Sequence, residues 1–256
     1  MQTKGNTILI TGGGSGIGRA LAQAFHRRGN TVIVAGRRKA ALDELAQANP
    51  GMATAVVDLA DARDIARFAA DIARDYPSLN ALVNNAGIMQ PEDWRGADVN
   101  TDIAEAIIAT NLVAPLRLTA ALLPLLRGQP EAALLNVSSG LAFLPLALTP
   151  TYSATKAALH SMTESLRYQL KDTGVQVIEI APPYVQTGLM GEQQASDPNA
   201  MPLAAFVDEA MTILDTQPDV REVLVERVRP LRFAAEQGYE GYMRQFDELN
   251  DHFAAH

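Results

Sequence analysis

Six short runs of mostly apolar residues recur along the first 180 positions: 7–11 (TILIT), 31–35 (TVIVA), 53–57 (ATAVV), 81–84 (ALVN), 133–137 (ALLNV) and 175–180 (VQVIEI). Runs this short, apolar on both faces, suit parallel strands covered by helices on either side. A weaker seventh run follows at 222–225. Between the runs the apolar spacing becomes helical, at 17–28, 39–48, 62–75, 101–126 and 151–171. Gly29 and Gly174 fall just past the first and last of these, where glycine commonly ends a helix. Such alternation predicts right-handed crossovers and an α/β, doubly wound parallel sheet of about seven strands, in a single domain covering 1–256.

Two segments depart from the alternation. Residues 187–202 (TGLMGEQQASDPNAMP) are polar and rich in turn formers, and they follow a strand's carboxyl end, the edge of an open α/β sheet where ligands bind. A mobile lid is expected there, with an incidental surface loop as the alternative. The tail 227–256 sets Leu231, Phe233, Tyr239, Tyr242 and Phe246 among charges, which predicts an extra helix burying them on the body or on a neighbouring subunit.

Composition narrows the function classes. The 256 residues carry a net charge of −8, unsuited to general nucleic-acid or anionic-membrane binding. With no cysteine, disulfides, thiolate nucleophiles and cysteine metal sites are excluded. Four dispersed histidines argue against a metal centre. No uninterrupted apolar run approaches the ~20 residues of a membrane span, and the N-terminus lacks a secretory pattern, so a soluble, cytoplasmic protein is expected.

The chemistry begins where TILIT runs into Gly12-Gly13-Gly14-Ser15-Gly16-Ile17-Gly18 and then a helix. Gly12 permits the tight turn, Gly16 close backbone approach and Gly18 close helix–sheet packing, leaving amides at the helix start to hold a pyrophosphate. The second strand ends in Arg37-Arg38-Lys39, with no acid before Asp43 to bond a ribose. Three cations there would welcome a 2′-phosphate, which favours NADP(H) and leaves NAD(H) as the alternative. A solvated charge run opening the next helix is the competing reading. Further on, Tyr152 and Lys156 share a helix face at i, i+4, thirteen residues after Ser139. A neighbouring ammonium favours the phenolate and lowers a phenol's pKa from about 10. His160, one turn of ~5.4 Å beyond Lys156, is read as a packing or interface residue.

In order along the chain, TGGGSGIG at 11–18, Asp58, Asn84-Asn85-Ala86-Gly87, Asn111, Ser139, Tyr152 and Lys156 resemble the motifs of the short-chain dehydrogenase/reductase (SDR) family. The Arg37-Arg38 run and the stretch VERVRPLR at 225–232 resemble its DltE-like subgroup of uncharacterised oxidoreductases. The resemblance covers nearly the whole chain and implies a Rossmann fold and the tetrad Asn111, Ser139, Tyr152 and Lys156. It implies that Gly12, Gly14, Ser15, Gly16, Ile17 and Gly18 line the pyrophosphate, with Asp58 and Leu59 at the adenine. Asn85, Ala86 and Gly87 would face the ribose side, with Arg37 and Arg38 at the 2′-phosphate. Ser15 stands where many NADP-preferring members carry a second basic residue. Thr187 would meet the nicotinamide carboxamide. Pro182-Pro183-Tyr184-Val185 replaces the family's Pro-Gly, which would stiffen the nicotinamide-side wall at Pro182 and Val185 and let Tyr184 narrow the mouth.

The mechanism so implied is reversible hydride transfer between NADP(H) and a carbonyl/alcohol pair. Tyr152 serves as general acid/base, Lys156 and the oxidised nicotinamide favour its phenolate, and Ser139 holds the substrate oxygen. Lys156 would also hold the ribose, and Asn111 would order a water leading from Lys156 to solvent. Leu141, Phe143, Leu144 and Leu146 sit near the Ser139–Tyr152 corner and suggest a hydrophobic small-molecule substrate. A homodimer or homotetramer is implied by the resemblance. A non-catalytic NADP(H)-binding sensor or scaffold is the alternative from another class.

Overall fold

In the computed structural model, which describes residues 1–96 and 99–254, the apolar runs form one parallel sheet. Its strands are β1 (Thr7–Thr11), β2 (Thr31–Gly36), β3 (Ala53–Val56), β4 (Ala81–Asn84), β5 (Ala132–Val137), β6 (Val175–Ile180) and β7 (Glu222–Val223). Their order is β3-β2-β1-β4-β5-β6-β7, every pair parallel. The order reverses between β1 and β4, and the crevice at the carboxyl ends of those two strands is where a doubly wound sheet offers a ligand site.

Alternate residues of each strand feed two cores, as a two-residue repeat requires. Ile8 and Ile10 of β1 pack with Leu21 and Phe25 of α1 (Gly16–Arg27) and Leu42 of α2 (Lys39–Ala48), while Leu9 lies with the opposite layer. That layer holds Ile65, Phe68 and Ile72 of α3 (Ala62–Asp75) against Leu118, Leu122 and Leu126 of α5 (Ala114–Arg127). Asp61 starts α3 by accepting from the Arg63 and Asp64 amides, as an N-cap carboxylate should.

The helix expected over 101–126 is interrupted. It consists of α4 (Asp102–Ile108), one wide turn of π-helix (Ala109–Val113) and α5. Pro115 has no N–H to give the Asn111 carbonyl four residues earlier, which favours the wider turn. Such turns recur at functional sites, and this one carries Asn111, fully buried. By length and apolar composition the run Asp102–Arg127 could also cross a membrane. In this fold its α5 part packs on α3 and the sheet.

Downstream, α6 (Pro150–Gln169) follows β5, and α7 (Glu192–Ser196) lies inside the segment expected to be a lid. The helix α8 (Leu203–Thr216) was not among the expected elements. Its signal was present: Leu203, Phe206, Val207, Ala210, Met211 and Leu214 recur at helical spacing and join the α1-side core. The short α9 (Arg229–Arg232) and long α10 (Gly238–Ala254) make up the tail. Leu231, Phe233, Tyr242 and Phe246 are half-buried, whereas Tyr239 is 80% exposed, contrary to the expectation for it.

Candidate active site

One cleft of about 770 Å³ runs along the β1/β4 crevice. The turn between β1 and α1 forms its floor. Gly12 has φ +67°, and a Cβ there would come 2.9 Å from the Ala86 backbone. At Gly18 a Cβ would collide with the Gly12 carbonyl and the Asn85 side chain, so the helix can approach the sheet only as glycine. Thr11 closes the crevice from beneath: its hydroxyl accepts from the Asn85 and Ala86 amides at 3.0 and 3.1 Å. Nothing in the TGGGSGIG spacing announces this role of Thr11.

Apart from Lys39, the residues expected on the nucleotide side line this cleft, from Gly12, Gly14, Ser15, Gly16, Ile17 and Gly18 through Arg37, Arg38, Asp58, Leu59, Asn85, Ala86 and Gly87 to Pro182, Val185 and Thr187. Ser139, Tyr152 and Lys156 line its far end. Asn111 lies behind the wall. Its carboxamide oxygen accepts from the Ile88 amide and its nitrogen donates to the Ile88 carbonyl, both at 2.8 Å. That side chain fixes the segment after β4, near Gly87, where Lys156 Nζ also lies close.

The helix carrying Tyr152 and Lys156 is anchored at both ends of its first turns. Glu92 accepts from the Thr151 amide at 3.0 Å and from its hydroxyl at 2.7 Å, placing a carboxylate where a helix N-terminus favours one. Lys156 Nζ donates to the Val137 carbonyl at 2.8 Å and stands 5.5 Å from the Tyr152 ring centroid. Ser139 accepts from the Leu141 amide at 3.1 Å and is the side chain that favours the Tyr152 phenolate.

The electrostatics correct one expectation. Burial pushes the Tyr152 phenol up to about 12, relieved only by Ser139, and Lys156 does not lower it. Burial also takes Lys156 down to about 8, opposed by the charge of Glu179. Both groups stand in a dry wall, where desolvation disfavours phenolate and ammonium alike, and Lys156 is bonded to a carbonyl rather than to the phenol.

Other expectations change as well. Lys39 turns from the cleft to Asp43, 2.5 Å away on the same face of α2. Arg38 instead reaches back to the Ser15 hydroxyl at 2.7 Å, so a guanidinium stands beside the neutral position in the turn. Of the four apolar residues expected near the substrate, Leu141 and Leu146 pack with Tyr152, but Leu144 is fully buried and Phe143 lies edge-on to His160 at 4.7 Å. Tyr184 does not narrow the nucleotide mouth: its hydroxyl donates to Asp197 and its ring meets Phe253 of α10 at 5.4 Å. The 187–202 segment is tied down by Gln194, which donates to the Val185 carbonyl and the Thr187 hydroxyl and accepts from the Met190 amide.

Beneath the cleft runs polar structure that no motif announced. Asn84 donates to Asn136 and Thr119, and Asn136 to Thr163, a buried ladder across β4, β5 and α6. Beside it Glu179, fully buried, accepts from Ser138 and pairs with His160. Among the described residues, His160, Glu179 and Glu222 could together approach one cation. Arg232 already holds Glu222 through two bonds of 2.7 and 3.1 Å, so the cluster is a hydrogen-bonded ion-pair network.

A short chain dehydrogenase family model matches residues 6–198. The chain is 42% identical over 253 residues to the uncharacterized oxidoreductase DltE of Bacillus subtilis, covering 98% of each. A short-chain dehydrogenase from Burkholderia cenocepacia, solved with NADP, superposes with a TM-score of 0.81 over 96% of this chain and 99% of that one, at 24% identity. One from Sphingobium yanoikuyae, solved with NADPH, gives 0.75 over 94% and 93%, at 29% identity. The chain belongs to the short-chain dehydrogenase family and is an oxidoreductase of alcohol/carbonyl pairs.

The pairing with Glu179 raises the His160 pKa above 6.5, although Arg232 opposes it and Glu222 assists. A base with a raised folded pKa contributes stability that is complete below its unfolded value and lost as pH rises through the folded one. Urea denaturation of wild type and His160→Gln should therefore differ most below about pH 6.5 and converge as pH rises past the raised value. A difference that grows with pH would contradict the pairing.

Proposed function

We propose that this protein interconverts a carbonyl and a secondary alcohol using NADP(H), with NAD(H) the weaker alternative. The observation that carries the reading is the placement of Tyr152, Lys156 and Ser139 in the same cleft as the glycine turn and two arginines. A dinucleotide fits these residues. The Ser15 side chain makes no cap hydrogen bond at the start of α1, and beside Gly16 a Cβ would meet nothing among the described residues nearer than Thr187 at 3.6 Å. Arg37 and the Arg38–Ser15 pair supply planar donors for a 2′-phosphate. Structural relatives hold NADP or NADPH in some cases and NAD or NADH in others, so the choice between them rests on Arg37 and Arg38.

The nucleotide, when bound, supplies or accepts the hydride. Tyr152 gives its proton to the carbonyl oxygen in reduction and takes it back in oxidation, while Ser139 donates to that oxygen as charge develops. Lys156 holds positive charge beside the phenol and the ribose, and Asn111 keeps the strand end after β4 in place. Leu141, Leu146 and Met89, with Met190 and with Leu249 and Phe253 of α10, surround Tyr152 with apolar surface, which favours a hydrophobic ketone or alcohol. Exposed Ile103 and Ile108 on α4 offer surface for a homodimer or homotetramer. A cytoplasmic location suits this nucleotide chemistry.

NADPH oxidation against a panel of aromatic and aliphatic ketones tests the reading. Wild type should turn over at least one. Tyr152→Phe should lose that turnover by about 10²-fold or more while NADPH affinity, measured by fluorescence, stays nearly constant. Tight NADPH binding without turnover of any ketone would favour a sensor instead. Replacing Arg38 by alanine should weaken NADPH about tenfold or more and leave NADH nearly unchanged. Equal losses would remove the 2′-phosphate assignment.

A further inference from the structure

A carboxylate in the middle of a parallel sheet needs a reason, since an ionised group there is costly unless paired and hydrogen-bonded. Glu179 is such a group. It is fully buried in β6, in register with Asn136 of β5 and Glu222 of β7. One oxygen accepts from the Ser138 hydroxyl at 2.5 Å, and the other meets His160 Nδ1 at 2.7 Å. Ser138 is the neighbour of Ser139 and follows Val137, whose carbonyl receives Lys156. His160 lies one turn beyond Lys156 on α6. The two bonds to Glu179 therefore bracket the Lys156–Val137 bond, one through the strand and one through the helix.

We propose that Glu179 is a positioning residue for the Tyr152–Lys156 pair: its carboxylate joins the end of β5 to α6 and supplies the buried negative charge that holds Lys156 as an ammonium. The purpose of the device rests on the functional reading above. Its surroundings supply the partners a buried carboxylate needs. His160 faces it from α6, and the second acid nearby, Glu222 of β7, is clamped by Arg232 of α9. Arg232 in turn lies over Phe143, which lies edge-on to His160, and Glu164 acts on Arg232 from the outer side. Burial favours a neutral Lys156, and Glu179 is the charge that opposes it.

The test needs neither substrate nor nucleotide. The chain has lysine only at 4, 39, 156 and 171, so carbon-13 labelling resolves the Lys156 side chain in a pH titration by NMR. Glu179→Gln should move the Lys156 midpoint down by about one unit. Glu179→Asp, which keeps the charge, should restore most of it. If the glutamine variant does not fold, Glu179→Leu makes the same prediction, because apolar replacements of buried ionic groups are often tolerated. An unmoved midpoint in a folded Gln or Leu variant, or an equal fall in Asp and Gln, overturns the proposal. Because no turnover is measured, loss of activity in Tyr152→Phe bears on the functional reading alone and leaves this result independent.

Discussion

The site is governed by desolvation of two ionisable side chains placed one helical turn apart. Lys156 is 3% exposed and Tyr152 6%. Neither can ionise there as it would in water, which is why the phenol rises and the amine falls. The remaining structure limits that penalty by fixed partners: the Val137 carbonyl for the ammonium, Ser139 for the phenol, and Glu179 as buried counter-charge. Fixed partners suit catalysis, because dipoles already in place need no reorganisation when charge develops.

Those partners stay in place because the sheet centre is hydrogen-bonded as well as packed. The ladder Asn84–Asn136–Thr163 and the bridge Ser138–Glu179–His160 run side by side from β4 to β6 and into α6. Satisfied buried networks specify one arrangement, since any shift leaves a polar group unpaired. The consequence is a rigid shelf under Ser139, Tyr152 and Lys156. On the proposed function, substrate recognition falls instead to the neighbouring apolar layer. There Asn250 of α10 ties down the 145–147 loop, and Phe253 meets Tyr184.

The sheet was legible because its strands carry short mostly apolar runs and its first turn is glycine-rich before a helix. The ends of β1, β4 and β6 matched the residues that announce them. What stayed hidden has physical reasons. The π-turn at Asn111 depends on Pro115 acting within an otherwise unbroken helical pattern. Glu179 looks misplaced in VIEI until Ser138 and His160, distant in sequence, are brought to it. Lys39 belonged to a cationic run whose members part only once the helix of α2 pairs it with Asp43. The direction of the Tyr152 shift required burial of both partners, which i, i+4 spacing cannot report. The helix α8 is different, since its periodicity stood open in the sequence.

On the proposed mechanism, the buried Tyr152 phenol gives up its proton and serves as base toward an alcohol only when the cationic oxidised nicotinamide lies beside it and Lys156. Ultraviolet difference titration of wild type against Tyr152→Phe isolates that phenol, with and without NADP⁺. The midpoint should lie near 12 in the protein alone and fall clearly once NADP⁺ is bound, because a neighbouring positive charge favours phenolate. A midpoint that NADP⁺ leaves unchanged would contradict this mechanism.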